Sequence, residues 1–212
     1  PSEMPMKNLF TFRMPVGSVF IITAGNFPAA VPSWYIVPAL LAGNSVVWKP
    51  SEFTPKVAHA LTALFHAGGI PKDLLITVVA EGKESFEALE AGLKEGLINK
   101  VGFTGSTEVG RKIGAKAGEY VQSACLELGG KNPNIIFADC DWDKMMRTTV
   151  QSSFSNQGQI CLCGSRVLVE ESIYEKFKTE FIARTKKLTV GDPLDDNSKQ
   201  GAVVSKMHFD KV

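Results

Sequence analysis

Apolar, β-rich runs recur along the chain with helical patterns between them. Val19-Phe20-Ile21-Ile22-Thr23, Ser45-Val46-Val47-Trp48-Lys49, Leu75-Ile76-Thr77-Val78-Val79 and Lys100-Val101-Gly102-Phe103 read as strands. In the gaps, Trp34 to Ala42 and residues 84–95 read as helices, as do residues 55–67, where Val57, Leu61, Leu64 and Phe65 stand at helical spacing. Ser106 caps a further helix to about Ala117, with Glu108 in its first turn. A helix after each strand is the rhythm of βαβ units, which demand right-handed crossovers and a parallel, doubly wound sheet. Such sheets collect ligands at the carboxyl ends of their strands, so the residues just after each strand are the ones to inspect.

After Gly129-Gly130 the texture changes. Asn134 to Phe137 and Val167 to Val169 read as strands, 141–154 as a helix, 171–187 as a long amphipathic helix and 191–200 as a polar loop. The expected class is α/β: a doubly wound parallel sheet over 16–128, then the start of a second α/β domain over 129–212, with a junction near 128–131.

Composition narrows the class of partner. Lys plus Arg number 23 against 22 Asp plus Glu, a net charge of +1, which gives no electrostatic footprint for nucleic acid or an anionic membrane. Hydrophobic residues at 44% and charged residues at 21% fit an ordinary globular chain and exclude disorder. No apolar run reaches the roughly 18–20 residues of a membrane span, and no basic-then-apolar leader opens the chain. Four cysteines in 212 residues do not make a disulfide scaffold. The chain opens Pro1-Ser2-Glu3 without Met and stops at Val212 without an obvious close, so the expectation is a piece of a longer protein of a reducing, cytoplasmic compartment.

No G-x-G-x-x-G follows any strand and no G-x-x-x-x-G-K-[ST] occurs, so a bound dinucleotide would be held some other way. Lys49 and Glu52, after the second strand, read either as a solvated strand end and turn or as contacts to a ribose diol. Phe103-Thr104-Gly105-Ser106 reads as an ordinary capped helix or as an anion site at a helix N-terminus. Cys161 and Cys163 have no histidines clustered with them, so no metal is implied. They read as a nucleophilic thiol in a Gly-containing loop or as two buried small hydrophobes. Glu127, inside an apolar strand end, reads as a carboxyl whose burial would raise its pKa towards that of a general base, or as a partner of Lys131.

Taken in order, Gly25-Asn26-Phe27-Pro28, Trp48-Lys49-Pro50-Ser51-Glu52, Phe103-Thr104-Gly105-Ser106, Leu126-Glu127-Leu128-Gly129-Gly130-Lys131 and Gly158-Gln159-Ile160-Cys161 resemble the aldehyde dehydrogenase superfamily over nearly the whole chain. The resemblance implies a Rossmann-like NAD-binding domain over 16–128, the first part of a catalytic domain over 129–212, and the end of an oligomerisation hairpin over 1–15. It implies oxidation of an aldehyde to a carboxylic acid with NAD, through a thiohemiacetal and a thioester on Cys161. Asn26 and the Cys161 backbone N–H match the oxyanion hole, and Glu127 the base that activates water. Thr23, Lys49, Glu52, Gly82, Gly105, Ser106 and Leu128 match cofactor contacts, and Glu52 implies NAD over NADP. Phe27, Ala30, Val31, Trp34, Ser155, Ile160 and Leu162 match the substrate tunnel. The implied partner is a small aldehyde or semialdehyde, in a homo-oligomer without nucleic acid or membrane. Ile160-Cys161-Leu162-Cys163 is similar to members acting on muconic semialdehydes.

Some positions depart from the pattern. Ala24-Gly25 replaces the usual Pro-Trp, and Ala80 to Glu84 keeps only one glycine. The competing readings are a CoA-acylating semialdehyde dehydrogenase, an inactive cofactor-binding piece, and a crystallin-like structural role. Glu127 argues against the first, because a positioned base serves hydrolysis.

Overall fold

The structure is a computed structural model and describes residues 6–212. The chain divides into two compact units, one ending at Glu127 and one starting at Leu128. The first is built as β1 (Ser18–Ile22), α1 (Ala30–Leu41), β2 (Ser45–Lys49), α2 (Pro55–Ala67), β3 (Leu75–Thr77), α3 (Gly82–Lys94), β4 (Lys100–Gly105), α4 (Thr107–Glu119) and β5 (Ser123–Leu128). Its sheet has the order β3-β2-β1-β4-β5. Strand β1 lies parallel to both neighbours, with Ile22 opposite Lys49 on one side and Phe103 on the other, and β2 lies parallel to β3. The chain lays β1, β2 and β3 outwards in one direction, then crosses back to place β4 on the far side of β1. That reversal falls between β1 and β4, and in doubly wound sheets the crevice at this point takes the ligand.

Helix α1 packs on β1 and β2, α2 on β3 and α4 on β4, and central β1 is buried along all but its first residue, which is why its run is continuously apolar. Val19, Ile21, Ile36, Val46, Trp48, Ala58 and Leu75 form the core of the sheet. Burying each of the larger side chains contributes roughly 1.5–3 kcal/mol against the entropy of ordering it. The indole of Trp48, fully buried, donates to Thr23 Oγ1 at 2.9 Å, so its one polar atom is satisfied. Buried Asn44 fixes the entry to β1: its Oδ1 accepts from the Val16 and Gly17 N–H groups (2.6 and 3.1 Å) while its Nδ2 donates to the Ala39 carbonyl at 3.0 Å.

Several boundaries differ from the sequence expectation. Helix α1 begins at Ala30 rather than Trp34, because Pro32 falls within its first turn, where a missing N–H costs nothing. Helix α3 begins two residues early, where Glu84 Oε2 accepts from the Glu81 N–H at 3.3 Å. Strand β3 stops at Thr77, and β4 continues to Gly105.

The second unit holds β6 (Pro133–Ile136) parallel to β7 (Arg166–Val169), with α5 (Trp142–Phe154), α6 (Tyr174–Thr185) and α7 (Lys206–Lys211). Its core gathers Ile136, Met146 and Phe177, extended by stacked rings of Phe154, Phe181 and Phe177. Trp142 Nε1 donates to Glu180 at 2.7 Å, and Arg184 bonds both Glu180 and Asp143, tying α5 to α6. The expected helix over 171–187 opens as a 3₁₀ turn (Glu171–Ile173) before α6. Helix α7 has no counterpart in the sequence expectation; Ser205 caps it by accepting from the His208 N–H at 3.1 Å.

Of the 1–15 segment expected as a hairpin end, residues 1–5 lie outside the described residues. Residues 7–16 form no strand, and Phe10, Phe12 and Met14 are exposed. Among the described residues, no helix is long and apolar enough to cross a membrane.

Candidate active site

Of the predicted cofactor residues, Thr23, Lys49 and Glu52 meet at the carboxyl ends of β1 and β2, where the Thr23 N–H donates to the Lys49 carbonyl at 3.1 Å. Lys49 closes β2 with its side chain buried, its ammonium 3.1 Å from Glu52 Oε2. A buried cation requires a partner of this kind. The Glu52 carboxyl sits below the usual carboxylate range: partial burial pushes it up, but its own backbone N–H and the hydrogen bond and charge of Lys49 outweigh that. Thr23 follows β1 and is buried, with its hydroxyl oxygen engaged by Trp48. Gly82 is the first residue of α3, and open space surrounds it. Gly105 ends β4, and Ser106 caps α4 by accepting from the Val109 N–H at 3.3 Å. A Cβ on Gly105 would stand 2.5 Å from Phe103 Cζ, so only glycine lets the chain pass this ring.

Asn26 and Phe27 lie, half-buried, in the turn between β1 and α1. Ala30 and Trp34 are exposed on α1, whereas Val31 is 5% exposed and turned into the core. The next residue, Tyr35, had no role in the sequence reading. Its hydroxyl lies 3.2 Å from the Phe103 carbonyl and 2.9 Å from Thr104 Oγ1, bracing the turn that carries Gly105. Burial holds the Tyr35 phenol above its ordinary pKa, against the Thr104 hydrogen bond and with help from the charges of Cys125 and Glu127, so it stays a donor. No local pattern marks this residue, because its partners stand 68 and 69 residues away.

The expectation of a buried Glu127 is corrected. Strand β5 is the sheet's edge strand and its burial alternates, with Ser123, Cys125 and Glu127 on the exposed side. Apolar neighbours at Leu126 and Leu128 mark the opposite face of a pleated strand, not the face of Glu127. The Lys131 ammonium donates to the Gly130 carbonyl at 3.2 Å. Leu128 is half-buried at the end of β5.

In the second unit the two thiols separate sharply. Cys161 is exposed on a turn, whereas Cys163 is 6% exposed and its thiol donates to the Gly158 carbonyl at 3.3 Å. The approach to that turn is strained: Asn156 and Gln157 have φ of 52° and 57°, followed by Gly158 at 72°. A non-glycine residue in this region costs roughly 1–2 kcal/mol, and such strain clusters at functional sites. Gln200 Oε1 accepts from the Gln157 N–H at 3.0 Å and holds the loop. Ser155, Ile160 and Leu162 line a cavity of about 330 Å³ with Thr148, Gln151, Ser152 and Cys163, so three predicted tunnel residues do converge. Among the described residues, no three His, Cys, Asp or Glu gather as metal ligands.

The comparisons with known proteins decide the family. Residues 1–212 match the aldehyde dehydrogenase family. The chain belongs to the aldehyde dehydrogenase family. It is 42% identical over 203 residues to a 2-aminomuconic semialdehyde dehydrogenase of Danio rerio, covering 96% of this chain and 41% of that protein. It is 42% identical over 204 residues to human (Homo sapiens) retinal dehydrogenase 2, covering 96% of this chain and 39% of that protein. The first unit's parallel sheet and the strands that follow superpose on betaine aldehyde dehydrogenase from Staphylococcus aureus in complex with NAD+, with a TM-score of 0.88 and 38% identity over 93% of this chain and 38% of that one. The chain thus spans about two fifths of the length of the aldehyde dehydrogenases it matches.

Proposed function

We propose that this chain carries the cofactor sheet and the nucleophile of an NAD-dependent aldehyde dehydrogenase that oxidises an aldehyde to its carboxylic acid by hydrolysis. The observation that carries this reading is the division of labour between the two thiols: Cys161 is open on a strained, anchored turn, while Cys163 is packed away. The Cys161 thiolate attacks the aldehyde carbon, and the Asn26 side chain and the Cys161 N–H receive the oxyanion that forms. Loss of hydride from that carbon leaves a thioester on Cys161. Glu127 takes a proton from water as it adds to the thioester; the thiolate leaves and the acid is released. An exposed carboxylate is well placed to meet water.

The residues present fit NAD. Lys49 and Glu52 offer a donor and an acceptor for the adenosine ribose, Gly105 and Ser106 open a helix N-terminus for the pyrophosphate, and Thr23, Gly82 and Leu128 are assigned the remaining contacts. NAD supplies the hydride acceptor when bound. The low-lying carboxyl of Glu52 keeps its charge and repels a 2′-phosphate, so NAD is preferred to NADP. Phe27, Ala30, Trp34, Ser155, Ile160 and Leu162 line the path of the substrate, an apolar aldehyde or a semialdehyde of the muconic kind, whereas Val31, buried in the core, does not reach it, and the intact protein assembles as a homo-oligomer.

The test is NADH formation by the intact polypeptide with NAD and a panel of aldehydes and semialdehydes, beside Cys161→Ser. Activity lost in the variant supports the reading; a Cys161→Ser protein that still makes NADH at the parent rate refutes it. Added CoA that speeds turnover several-fold would move the assignment to the acylating branch.

A further inference from the structure

The turn that bears Cys161 is held by a side chain from a distant part of the chain. Asn132 Nδ2 donates to the Cys161 carbonyl at 2.5 Å and to the Cys163 carbonyl at 3.2 Å. An amide nitrogen carries two hydrogens, enough for one bond to each. The same turn is closed by the Cys163 N–H, which donates to the Ile160 carbonyl at 3.1 Å. Together these bonds fix the peptide planes on both sides of Leu162. With the carbonyl that follows the Cys161 Cα fixed, the ψ of Cys161 has little freedom, and the direction of its Cα–Cβ bond follows.

Asn132 is itself well anchored. It directly precedes β6, its backbone carbonyl accepts from the Arg166 N–H at 3.2 Å, and Arg166 Nε donates to the neighbouring Lys131 carbonyl at 2.8 Å. A side chain standing on a rigid strand pair positions better than one on a free loop. The other end of the nucleophile segment is tied to α5, where the Gly164 N–H donates to Ser152 Oγ at 3.1 Å.

We propose that Asn132 is a positioning residue that aims the Cys161 thiol, acting through two carbonyls and touching neither substrate nor cofactor. This rests on Cys161 being the nucleophile. It predicts a cost in the chemical step with little cost in cofactor binding, because a misplacement of about 1 Å at a reacting group slows chemistry by up to a hundredfold.

The experiment compares Asn132→Ala, Asn132→Ser and Asn132→Asp with the parent in the intact polypeptide. Three quantities are read: kcat for aldehyde oxidation, KM for NAD, and the site-resolved rate of iodoacetamide alkylation at Cys161 relative to exposed Cys125. Asn132→Ala is expected to lower kcat by about tenfold to a hundredfold and to change the Cys161:Cys125 ratio several-fold, with KM for NAD within about twofold. Asn132→Ser keeps one donor and falls between. Asn132→Asp has the same shape but presents carboxylate oxygens to two carbonyls, and is at least as slow as Asn132→Ala. If the alanine variant does not fold, the isosteric Asp and the polar Ser variants decide. Any folded variant lacking the amide donor whose kcat and alkylation ratio stay within about twofold of the parent overturns the proposal. A Cys161→Ser protein that remains active brings down the nucleophile reading and this inference with it; an inactive Cys161→Ser beside parent-like Asn132 variants brings down this inference alone.

Discussion

Gly105→Ala isolates the turn on which cofactor binding is proposed to depend. The added methyl would stand 2.5 Å from Phe103 Cζ and 3.1 and 3.2 Å from Cε2 and Cε1. Carbon pairs are most favourable at about 3.5–4.0 Å, so the ring must move by roughly 1 Å. Phe103 is 4% exposed, and overpacking of this kind costs about 1–3 kcal/mol. The backbone of the turn yields as well, which displaces the N–H groups at the start of α4. Urea unfolding followed at Trp48, which is fully buried in the same sheet, reads the stability loss. Fluorescence titration with NADH reads the second effect, expected as a loss of at least about tenfold in affinity, or 1.4 kcal/mol. The control is Gly118→Ala in α4, where nothing lies within 4 Å of the added Cβ. The same chemical change there is expected to gain about 0.5 kcal/mol through helix propensity and a less flexible unfolded chain. Should Gly105→Ala lose less than about 0.5 kcal/mol, or should both variants move alike, the close approach of Phe103 is not what holds the turn.

Two further outcomes test the first unit. Val121 closes α4 with φ of 57° while 91% exposed, its N–H donating to the Gly118 carbonyl and the Gln122 N–H to the Ala117 carbonyl, the geometry in which helices normally place glycine. Val121→Gly should therefore stabilise by about 1 kcal/mol in urea unfolding, and a loss of stability would show that the branched side chain is not strained there. The Glu52 carboxyl is held below its ordinary range, its partial burial outweighed by its own backbone N–H and by Lys49, so its contribution is complete above that range and is lost as pH falls through its folded value. The acid limb of the unfolding curve below about pH 4.5 should flatten in Glu52→Gln, and that variant should narrow the preference for NAD over NADP; an unchanged limb and an unchanged ratio argue that the pair with Lys49 is incidental.

The candidate site residues draw attention by their types and settings, a cysteine after Gly-Gln-Ile, a lysine closing an apolar strand and a serine opening a helix, but each leaves a bland alternative open until their order along the chain is compared with a family. The sheet was legible because strands covered on both faces read as unbroken apolar runs, and β1 and β2 fall within a residue of the expected bounds. What escaped was everything decided by a distant partner. Helix α1 starts at Ala30 because a proline in its first turn is harmless, which the residue alone does not announce.

Glu127 illustrates the limit best. The alternation in β5 correctly puts it on one face and Leu126 on the other, but which face is covered depends on what packs against the strand, and an edge strand leaves one side open. Tyr35 and Asn132 lie further still from any local signal. Their hydrogen bonds reach 68, 69, 29 and 31 residues along the chain to the two turns that matter most, one below Gly105 and one bearing Cys161. The type of a side chain is written in the sequence, whereas its reactivity and its aim are properties of the fold. A substitution at Asn132 should therefore leave every recognisable motif intact and still slow the enzyme.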